Sequence, residues 1–411
     1  MKTLLWGLLL AFPLASRAQS VGIGTTTPDA SAVLDMRTTT QGLLPPRMSA
    51  AQRQAIANPA QGLLVYQTDG SVGLYVYAGL TWRNLTDGRI PDANGSTAPP
   101  NGGVVSTFNS STLPRPTGVA VGETGTVYAS DVNYHILVQF PVSGPGTVLA
   151  GAVTAGYADG TGVAAKFNTP TGVAVDANGT VYVADQANNC IRKVTAAGVT
   201  TTLAGSTTAG SADGTGPAAG FNLPTGIAVD LTGALYVADK GNNRIRKITP
   251  AGVVTTLAGS GTAGAADGVG AAASFNAPAG VAVDALGTVY VADQGNHRIR
   301  RITAAGVVST LAGSGAATFA DGTGAAASFN SPSGMAVDAG GTVYVADQLN
   351  HRIRRVTPAG VTTTLAGSGT VGSTDGTGTN ASFNTPTGIA ITAAGTLYVA
   401  EPPTNRIRAI K

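Results

Sequence analysis

The chain has 411 residues, of which 43% are hydrophobic, 11% are charged and 57 are glycine. This composition is typical of many short strands joined by turns, and it argues against a mainly helical protein. The formal net charge of +3 argues against the strongly basic surface on which nucleic-acid binding usually depends. The length accommodates a large repeat domain and a smaller module.

The first 18 residues have the pattern of a cleavable secretory signal. Lys2 precedes the apolar run Leu4–Ala11, and the small residues Ser16 and Ala18 follow it. The mature protein is therefore expected to be secreted, whether extracellular, on the cell surface or periplasmic. Because no later apolar run reaches the length of a membrane span, no membrane insertion is expected.

Residues 19–86 are predicted to form a small β-rich module. Ser49, with Gln52 three residues later, has the spacing of a capping box and predicts a short helix through about Ile56. Three apolar runs then predict a three-stranded meander, at Leu63–Tyr66, Gly73–Tyr77 and Leu80–Leu85. Residues 87–102 are rich in Pro, Gly and polar side chains and are predicted to be a linker.

The rest of the chain is one pattern repeated with a period of 54 residues. A phenylalanine that is followed by Asn and, two residues later, by Pro recurs at this spacing, at Phe167, Phe221, Phe275, Phe329 and Phe383. Self-similarity at a fixed period of this length indicates a repeat architecture.

One copy, residues 275–314, predicts four antiparallel strands. The β-branched runs Gly280–Asp284 and Thr288–Asp293 predict a hairpin, and Arg298–Ile302 and Val307–Leu311 predict a second one. Sheets of about this repeat length usually pack side by side around a central axis as a β-propeller.

The count of copies predicts six blades. Six Pro-x-Gly segments mark first strands, beginning at Pro116, Pro170, Pro224, Pro278, Pro332 and Pro386. The last copy ends after its third strand, and Gly102–Phe108 resembles the fourth-strand segment Ala305–Leu311, so it is expected to complete blade six and close the ring. The predicted fold class is all-β: a six-bladed β-propeller of four-stranded blades over residues 103–411, plus the small N-terminal module.

The repeated pattern P-x-G-[VI]-A-V-D-x-x-G-x-[VL]-Y-V-A-D-x-x-N-x-R-I-R-[KR] resembles the NHL repeat, whose family folds as a six-bladed propeller. The resemblance spans about residues 103–411. Copy one departs from it, with Gly122 for the strand-end Asp and His135–Leu137 for Arg-Ile-Arg. Copy six departs at Thr392 and Glu401, so a site that needs six equivalent residues is not expected.

The N-terminal module resembles a segment found in secreted proteins of Bacteroidetes-type bacteria and in tail-fibre-like surface proteins. The resemblance lies in VGIGT from Val21, LLPPRM from Leu43, GLLVY from Gly62 and TW at Thr81. Such modules are often trimeric, which makes a homo-oligomer one interpretation. The other interpretation, a small domain packed on the propeller, is equally compatible with the sequence.

Antiparallel topology places the long loops between blades and the connections from second to third strands at one end of the propeller. Long loops on a rigid scaffold often carry binding residues. The candidate ligand-binding residues are Asp213, Asp267, Asp321 and Asp375 in the loops, Asn242, Asn296 and Asn350 in the connections, and Arg244, Arg298 and Arg352 at the third strands.

Each candidate also has an architectural explanation. The loop aspartates are typical of Asp-Gly turns, and the arginines on the third strands are typical of solvated positions. The strand-end aspartates are expected to bond the backbone of the connection that follows; they are Asp185, Asp239, Asp293 and Asp347.

No catalytic residue, metal site or cofactor is predicted. His135, His297 and His351 stand at the starts of third strands and are not expected to converge as zinc ligands do. The single cysteine, Cys190, occupies a position where other copies have Arg, and it has no cysteine with which to form an intramolecular disulfide.

The charges of the repeat region do not predict a polyanionic partner. From residue 101 onward the chain has 17 Lys and Arg against 16 Asp and Glu, so no nucleic-acid partner is expected.

A non-catalytic scaffold for binding or adhesion is therefore the predicted function, with a protein or glycan as the ligand and the long inter-blade loops as the binding face. The alternative is a propeller enzyme of the lactonase or lyase type, with a metal at the channel mouth. A third alternative is a surface-array or fibre component, driven by residues 19–90.

Overall fold

The structure is a computed structural model, and it describes residues 21–23, 34–36, 45–57, 59–60, 63–69, 73–78, 81–84, 103–109 and 113–411. The predicted signal segment and the predicted linker lie outside the described residues. The chain divides into two compact units, Met1–Asp87 and Gly88–Lys411.

The N-terminal unit contains the predicted capped helix. The helix is Ala50–Gln54; Ser49 Oγ accepts the Gln52 backbone N–H, and Gln52 Oε1 accepts the Ser49 backbone N–H at 2.8 Å. Each end of this capping box satisfies a donor that the helix itself leaves unpaired.

The predicted meander is also present in this unit. Leu64–Gln67 pairs antiparallel with Gly73–Ala78, which pairs with Thr81–Asn84. Two further pairings were not predicted: Arg47–Met48 runs parallel to Leu64–Gln67, and Val21–Ile23 pairs with Leu34–Met36. Strands of two or three residues are too short to show the alternation by which a strand is recognised in a sequence.

The second unit consists of repeated four-stranded antiparallel sheets, called sheets one to six in chain order. Their first to fourth strands are Pro116–Val121, Val127–Asp131, Ile136–Phe140 and Thr147–Gly151 in sheet one; Pro170–Val175, Val181–Asp185, Cys190–Val194 and Val199–Gly205 in sheet two; Pro224–Val229, Leu235–Asp239, Arg244–Ile248 and Val253–Ala258 in sheet three; Val281–Val283, Val289–Asp293, Arg298–Ile302 and Val307–Ala312 in sheet four; Pro332–Val337, Val343–Asp347, Arg352–Val356 and Val361–Ala366 in sheet five; Ile389–Ile391, Leu397–Glu401, Arg406–Ile410 and Val104–Asn109 in sheet six.

The loop that enters each of sheets two to six adds a short fifth strand outside the fourth one. These strands are Gly160–Thr161, Gly214–Thr215, Gly268–Val269, Gly322–Thr323 and Gly376–Thr377. Single 3₁₀ turns follow them, at Gly162–Ala164, Gly216–Ala218, Gly270–Ala272, Gly324–Ala326 and Gly378–Asn380. Others connect second to third strands, at Gln186–Asn188, Lys240–Asn242, Gln294–Asn296, Gln348–Asn350 and Pro402–Thr404.

Sheet six is assembled from both ends of the repeat region. Val104–Asn109 pairs antiparallel with Arg406–Ile410, so the predicted pairing of an N-terminal strand with the last third strand is confirmed. Val105, at 1% exposure, packs with Ile410 and Leu397 in the core of this sheet. Without this strand, Arg406–Ile410 would have an unpaired edge.

The hairpin turns are built by side chains of the turn itself. In sheet four, Asp284 Oδ1 accepts the backbone N–H of Leu286 at 3.0 Å and of Thr288 at 2.8 Å. Gly287 has φ +78°, which the turn requires and which side-chain-bearing residues rarely adopt. The sequence Asp-Ala-Leu-Gly therefore closes the hairpin locally.

The hydrophobic core lies between neighbouring sheets. Second strands are buried along their whole length in sheets one to five, and Val291 and Ala292 are fully buried in sheet four. Each repeat phenylalanine is also fully buried; Phe275 packs with Tyr236 of sheet three and Val291 of sheet four. Another cluster joins Ala390 and Ile407 of sheet six to residues of sheet one, such as Val119.

The strand Val104–Asn109 should decide the stability of the repeat unit. We expect a chain that begins at residue 110 to unfold at least ~5 °C lower than a chain that begins at residue 103, because only the former lacks the fourth strand of sheet six. Circular dichroism melting of the two truncations measures the difference. Equal melting temperatures would show that the strand contributes little to the sheet.

Candidate functional site

A buried guanidinium stands at the centre of each complete repeat. Arg300 Nη1 donates to Asp293 Oδ2 at 2.7 Å, and Arg300 Nη2 donates to Asp267 Oδ1 at 2.6 Å. Both nitrogens also donate to backbone carbonyls, those of Ser274 at 3.1 Å and Ala266 at 2.9 Å. The side chain is fully buried, and its charge lies 5.2 Å from the centre of the Phe275 ring.

The same arrangement recurs in sheets two to six. The other central residues are Arg192, Arg246, Arg354 and Arg408, and all are fully buried. Sheet six uses Glu401, whose Oε2 accepts from Arg408 Nη1 at 2.8 Å, in place of the strand-end aspartate. The prediction that the arginines of the third strands are solvated is therefore wrong for the second arginine of each pair. Strand alternation alone did not reveal it, because the loop from the preceding sheet is what covers this side chain.

The four loop aspartates predicted as ligand-binding residues lie at this guanidinium. Their side chains are 44 to 50% exposed, and each also accepts hydrogen bonds from a threonine of the fourth strand. The four are Asp213, Asp267, Asp321 and Asp375. They fasten the incoming loop to the outer edge of the sheet.

The pKa of Asp213 reflects this position. Partial burial raises it, but the hydrogen bonds from Thr256 and the Arg246 guanidinium outweigh burial, and the pKa falls below its ordinary value. The same balance lowers the pKa of Asp267 and Asp375.

The strand-end aspartates bond the backbone of the segment before the first strand, and the prediction that they bond the backbone of the connection that follows is wrong. Asp293 Oδ1 accepts the N–H of Asn276 at 2.8 Å, and Asp293 Oδ2 accepts the amide of Asn296 at 2.8 Å. Burial raises the pKa of Asp293, and these donors together with Arg300 oppose the shift. Equivalent bonds from the N–H groups of Asn168, Asn222 and Asn330 are present in the other copies, because this segment lies closer to the carboxylate than the backbone of the connection does.

The predicted asparagines belong to the same network. Besides donating to the strand-end aspartates, Asn242, Asn296 and Asn350 donate to the carbonyls of Gly210, Gly264 and Thr318. They thus tie the connection to the preceding loop.

The predicted arginines lie outside the network and are partly exposed. Arg244 donates to the Ser211 carbonyl at 3.2 Å, and Arg298 donates to the Ser314 carbonyl at 3.3 Å. Arg352 donates to the Ser368 carbonyl at 2.8 Å and lies 3.8 Å from the Phe319 ring centre. The structure therefore brings the predicted aspartates and asparagines together around one guanidinium and leaves these arginines beside the loops.

The histidines link neighbouring sheets. His297 Nδ1 accepts the Ser331 N–H at 3.0 Å, and His135 and His351 accept equivalent bonds from Thr169 and Thr385. Cys190 is fully buried, and burial raises the pKa of its thiol. Among the described residues, no group of three or more His, Cys, Asp or Glu side chains is arranged to hold a metal ion.

A cavity of about 240 Å³ opens where the first strands of the six sheets come together. The polar side chains that line it were not predicted from the sequence. Each sheet contributes the last two residues of its Pro-x-Gly segment, from Thr117 and Gly118 in sheet one to Thr387 and Gly388 in sheet six. A side chain at Gly280 would collide with the Ser333 carbonyl, so glycine permits this close approach.

Three amides and one ammonium line the mouth of this cavity. They are Gln186, Lys240, Gln294 and Gln348, each the first residue after a strand-end aspartate. Lys240 Nζ donates to Gln294 Oε1 at 2.9 Å, and Gln294 Nε2 donates to Gln348 Oε1 at 3.1 Å. The signal that could have revealed Lys240 is that it follows the same Tyr-Val-Ala-Asp segment after which sheets two, four and five have glutamine.

A second cavity lies at the opposite end of the first strands. Its volume is about 200 Å³, and it is lined by side chains such as Val173, Ile227 and Met335. None of the helices in the described part of the chain is long and apolar enough to cross a membrane.

The buried guanidinium should be essential to stability. We expect Arg300→Met to lower the free energy of unfolding by about 3–5 kcal/mol, because Asp293 would remain buried without its cation. The neighbouring Arg301 is exposed, so Arg301→Met is the matched control and should change stability by less than about 0.5 kcal/mol. Urea unfolding of both variants measures this, and similar losses in the two would contradict the assignment.

Two family models match the chain. The NHL repeat model matches residues 167–194, 221–248, 275–302 and 329–356, which lie in sheets two to five. The model of the phage tail-like trimerisation region matches residues 22–101.

Relatives among curated proteins share the repeat region. Protein SUPPRESSOR OF QUENCHING 1, chloroplastic, of Arabidopsis thaliana is 30% identical over 275 residues, which are 62% of this chain and 26% of that protein. NHL repeat-containing protein 2 of Bos taurus is 40% identical over 95 residues, which are 23% of this chain and 13% of that protein. The chain thus spans about a quarter or less of the length of these relatives.

Solved structures share the fold at low identity. A structural genomics protein of unknown function from Bacteroides thetaiotaomicron aligns with a TM-score of 0.60 at 20% identity, over 84% of this chain and 82% of that one. An auxiliary nutrient binding protein from the same organism aligns at 0.56 and 17%, over 75% and 76%. A gluconolactonase from Xanthomonas campestris aligns at 0.53 and 16%, over 74% and 88%.

These likenesses show an all-β fold of repeated four-stranded sheets of the β-propeller type. The repeat matches and the N-terminal match agree with the two resemblances read from the sequence. The chain therefore contains NHL repeats in sheets two to five, and its residues 22–101 are similar to the phage tail-like trimerisation region.

Proposed function

We propose that this chain is a secreted, non-catalytic binding scaffold in which the six sheets close into one propeller. The N-terminal region joins three chains, so that three propellers are presented together. Secretion is supported by the signal-type pattern of the first 18 residues. Trimer formation is supported by the match of residues 22–101 to a trimerisation region.

Ring closure is supported by contacts between the last sheet and the first. Thr387 Oγ1 of sheet six donates to the Thr117 carbonyl of sheet one at 2.9 Å. Thr225 Oγ1 of sheet three makes the equivalent bond to the Ala279 carbonyl of sheet four at 2.9 Å. The contact between the terminal sheets therefore has the same form as a contact between consecutive sheets.

The observation that most supports a binding function is that one set of polar residues in the repeat holds the scaffold together while another set lines the cavity. The buried charged residues that recur in sheets two to six are bonded to one another, as in the group of Asp267, Arg300 and Asp293. The first residue after the strand-end aspartate, which is Gln294 in sheet four and Lys240 in sheet three, lines the central cavity. The recurring buried charges therefore serve the scaffold, whereas polar side chains that line the cavity can contact a ligand.

We place the binding surface at the end of the propeller that bears the second-to-third-strand connections, together with the cavity mouth and the loops that start there, such as Gly313–Ser328. We call it the loop face. The predicted aspartates and asparagines hold these loops in position from the sheet edge. Arg244, Arg298 and Arg352 are partly exposed beside the loops and can contact a protein or glycan ligand.

The lining of the cavity favours binding over the lactonase or lyase alternative. Its described residues are Thr, Ser, Gly, Ala, Gln and Lys, none of which is a usual ligand of a catalytic divalent metal. Hydroxyl, amide and ammonium groups instead suit hydrogen bonding to a polar ligand.

The oligomer is tested by mass. We expect the mature chain to have three times the mass of one chain in solution, and a chain that begins at residue 103 to have the mass of a single chain. Light scattering coupled to size exclusion measures both over a range of concentrations. Single-chain masses for both proteins would remove the trimer from the proposal.

The loop face is tested by a screen of the full chain against glycans and peptidoglycan fragments. Leu349, in the connection of sheet five, and Leu286, in a hairpin turn at the opposite end of sheet four, are both exposed. We expect Leu349→Glu to weaken binding of the ligand found by ~10-fold or more, and Leu286→Glu to leave it unchanged.

Elemental analysis of the same protein, purified without added metals or chelators, provides a second test. A stoichiometric divalent metal ion would contradict the non-catalytic scaffold.

A further inference from the structure

One cation stands among the amides at the mouth of the central cavity. Three copies place glutamine there, as Gln186, Gln294 and Gln348, whereas sheet three places Lys240. Glutamine at this position is compatible with the same strands and connection in sheets two, four and five. The folding of the repeat therefore does not require a lysine, and its charge needs another explanation.

The side chains at the mouth form a directed chain of hydrogen bonds. Lys240 Nζ donates to Gln294 Oε1 at 2.9 Å, and Gln294 Nε2 in turn donates to Gln348 Oε1 at 3.1 Å. An ammonium has three N–H donors, and within the described part of the chain Lys240 uses one of them. The Nε2 donors of Gln348 have no acceptor among the described residues. Unused N–H donors therefore remain at both Lys240 and Gln348, the two ends of this row of side chains.

The charge of Lys240 is not neutralised within the cavity. The neighbouring Asp239 is turned into the scaffold, where it accepts from Asn222, Asn242 and Arg246. No carboxylate is present among the described residues that line the cavity. Burial lowers the pKa of Lys240, which reflects the cost of holding the ammonium partly away from water. A ligand that brings an anionic oxygen would offset this cost.

The remaining lining indicates what else the ligand carries. The volume of about 240 Å³ lies below the ~300–1,000 Å³ of pockets for drug-sized molecules, so the ligand is small. The hydroxyls of Thr225 and Thr387 donate to carbonyls of the next sheet, which leaves their oxygens as acceptors for ligand O–H groups. One cation matches one negative charge, and the hydroxyls and amides match several O–H groups.

We propose that Lys240, with Gln294 and Gln348, binds the carboxylate of a small hydroxylated acid, of the uronic acid type, at the mouth of the central cavity. This inference rests on the proposed function, because it uses the cavity of the same loop face. It adds the chemical class of a ligand and the residue that selects it. The ammonium and the free amide donors bind the carboxylate, and the threonine hydroxyls bind the sugar hydroxyls.

The test compares two lysines of the same sheet in the full mature chain. Lys240→Gln restores the side chain that three other copies have at this position, so the fold is expected to be retained. Lys247→Gln makes the same change of charge on the third strand, where Lys247 lies over Tyr236 and away from the cavity lining. Isothermal titration calorimetry with D-glucuronate, D-glucose and D-glucose 6-phosphate measures affinity, and melting temperatures of the variants check their folding.

We expect the unmodified chain and Lys247→Gln to bind glucuronate equally, and at least ~10-fold more tightly than glucose. Lys240→Gln should lose ~10-fold or more in affinity for glucuronate, with no change toward glucose. Equal affinity of Lys240→Gln and the unmodified chain for glucuronate, or no binding of glucuronate by the unmodified chain, would overturn the inference. Tighter binding of glucose 6-phosphate than of glucuronate would overturn the assignment to a carboxylate.

The two proposals fail in different ways. If the glycan screen finds a ligand whose binding is weakened by Leu349→Glu, and Lys240→Gln has no effect on any acid, the Lys240 site is wrong and the scaffold function stands. If the unmodified chain binds glucuronate through Lys240 but also converts it to a new product, the acid site stands and the non-catalytic function is wrong.

Discussion

The buried arginine of the third strand is the interaction on which the repeat depends. Arg300 is held by Asp293 of its own sheet and by Asp267 of the loop that arrives from the sheet before it. A fully buried guanidinium is costly unless both sides are compensated, so the loop can only settle where it supplies its carboxylate and carbonyl groups. Phe275, which follows that loop, is thereby fixed between two sheets.

The terminal sheets show what happens where this interaction is altered. Sheet one has Val138 on its third strand at the position of the arginine, and Leu113 takes the place of the buried phenylalanine. Sheet six keeps Arg408 but pairs it with Glu401, and it takes its fourth strand from Val104–Asn109. The departures from the repeat pattern thus lie where the two ends of the repeat region meet. Backbone pairing of Val104–Asn109 with Arg406–Ile410 there fixes positions that side-chain bonds fix in the other sheets.

The cavity has the opposite relation to the repeat. Its wall is made by segments that recur, with glycines that allow close approach and threonines that bond the next sheet. Its mouth is made by the first residue of each connection, where sheet three has Lys240 and sheets two, four and five have glutamine. No carboxylate among the described residues that line the cavity pairs with Lys240, so its ammonium is available to bind an anionic ligand. A scaffold of nearly identical repeats can in this way place a positive charge on one side of its cavity.

The sequence alone determined the number of copies, the four strands of each copy and the capped helix, because these follow from periodicity and local turn chemistry. It also determined the pairing of Val104–Asn109 with Arg406–Ile410, because the last copy lacks a fourth strand. It also indicated that the recurring Asp and Asn residues serve architecture. Only the tertiary structure decided which arginine of each pair is buried, because Asp213 and Arg246 are 33 residues apart and meet at the sheet edge. It alone brought Lys240 to Gln294, 54 residues away, because a neighbour in the next sheet is defined by packing and not by any local pattern.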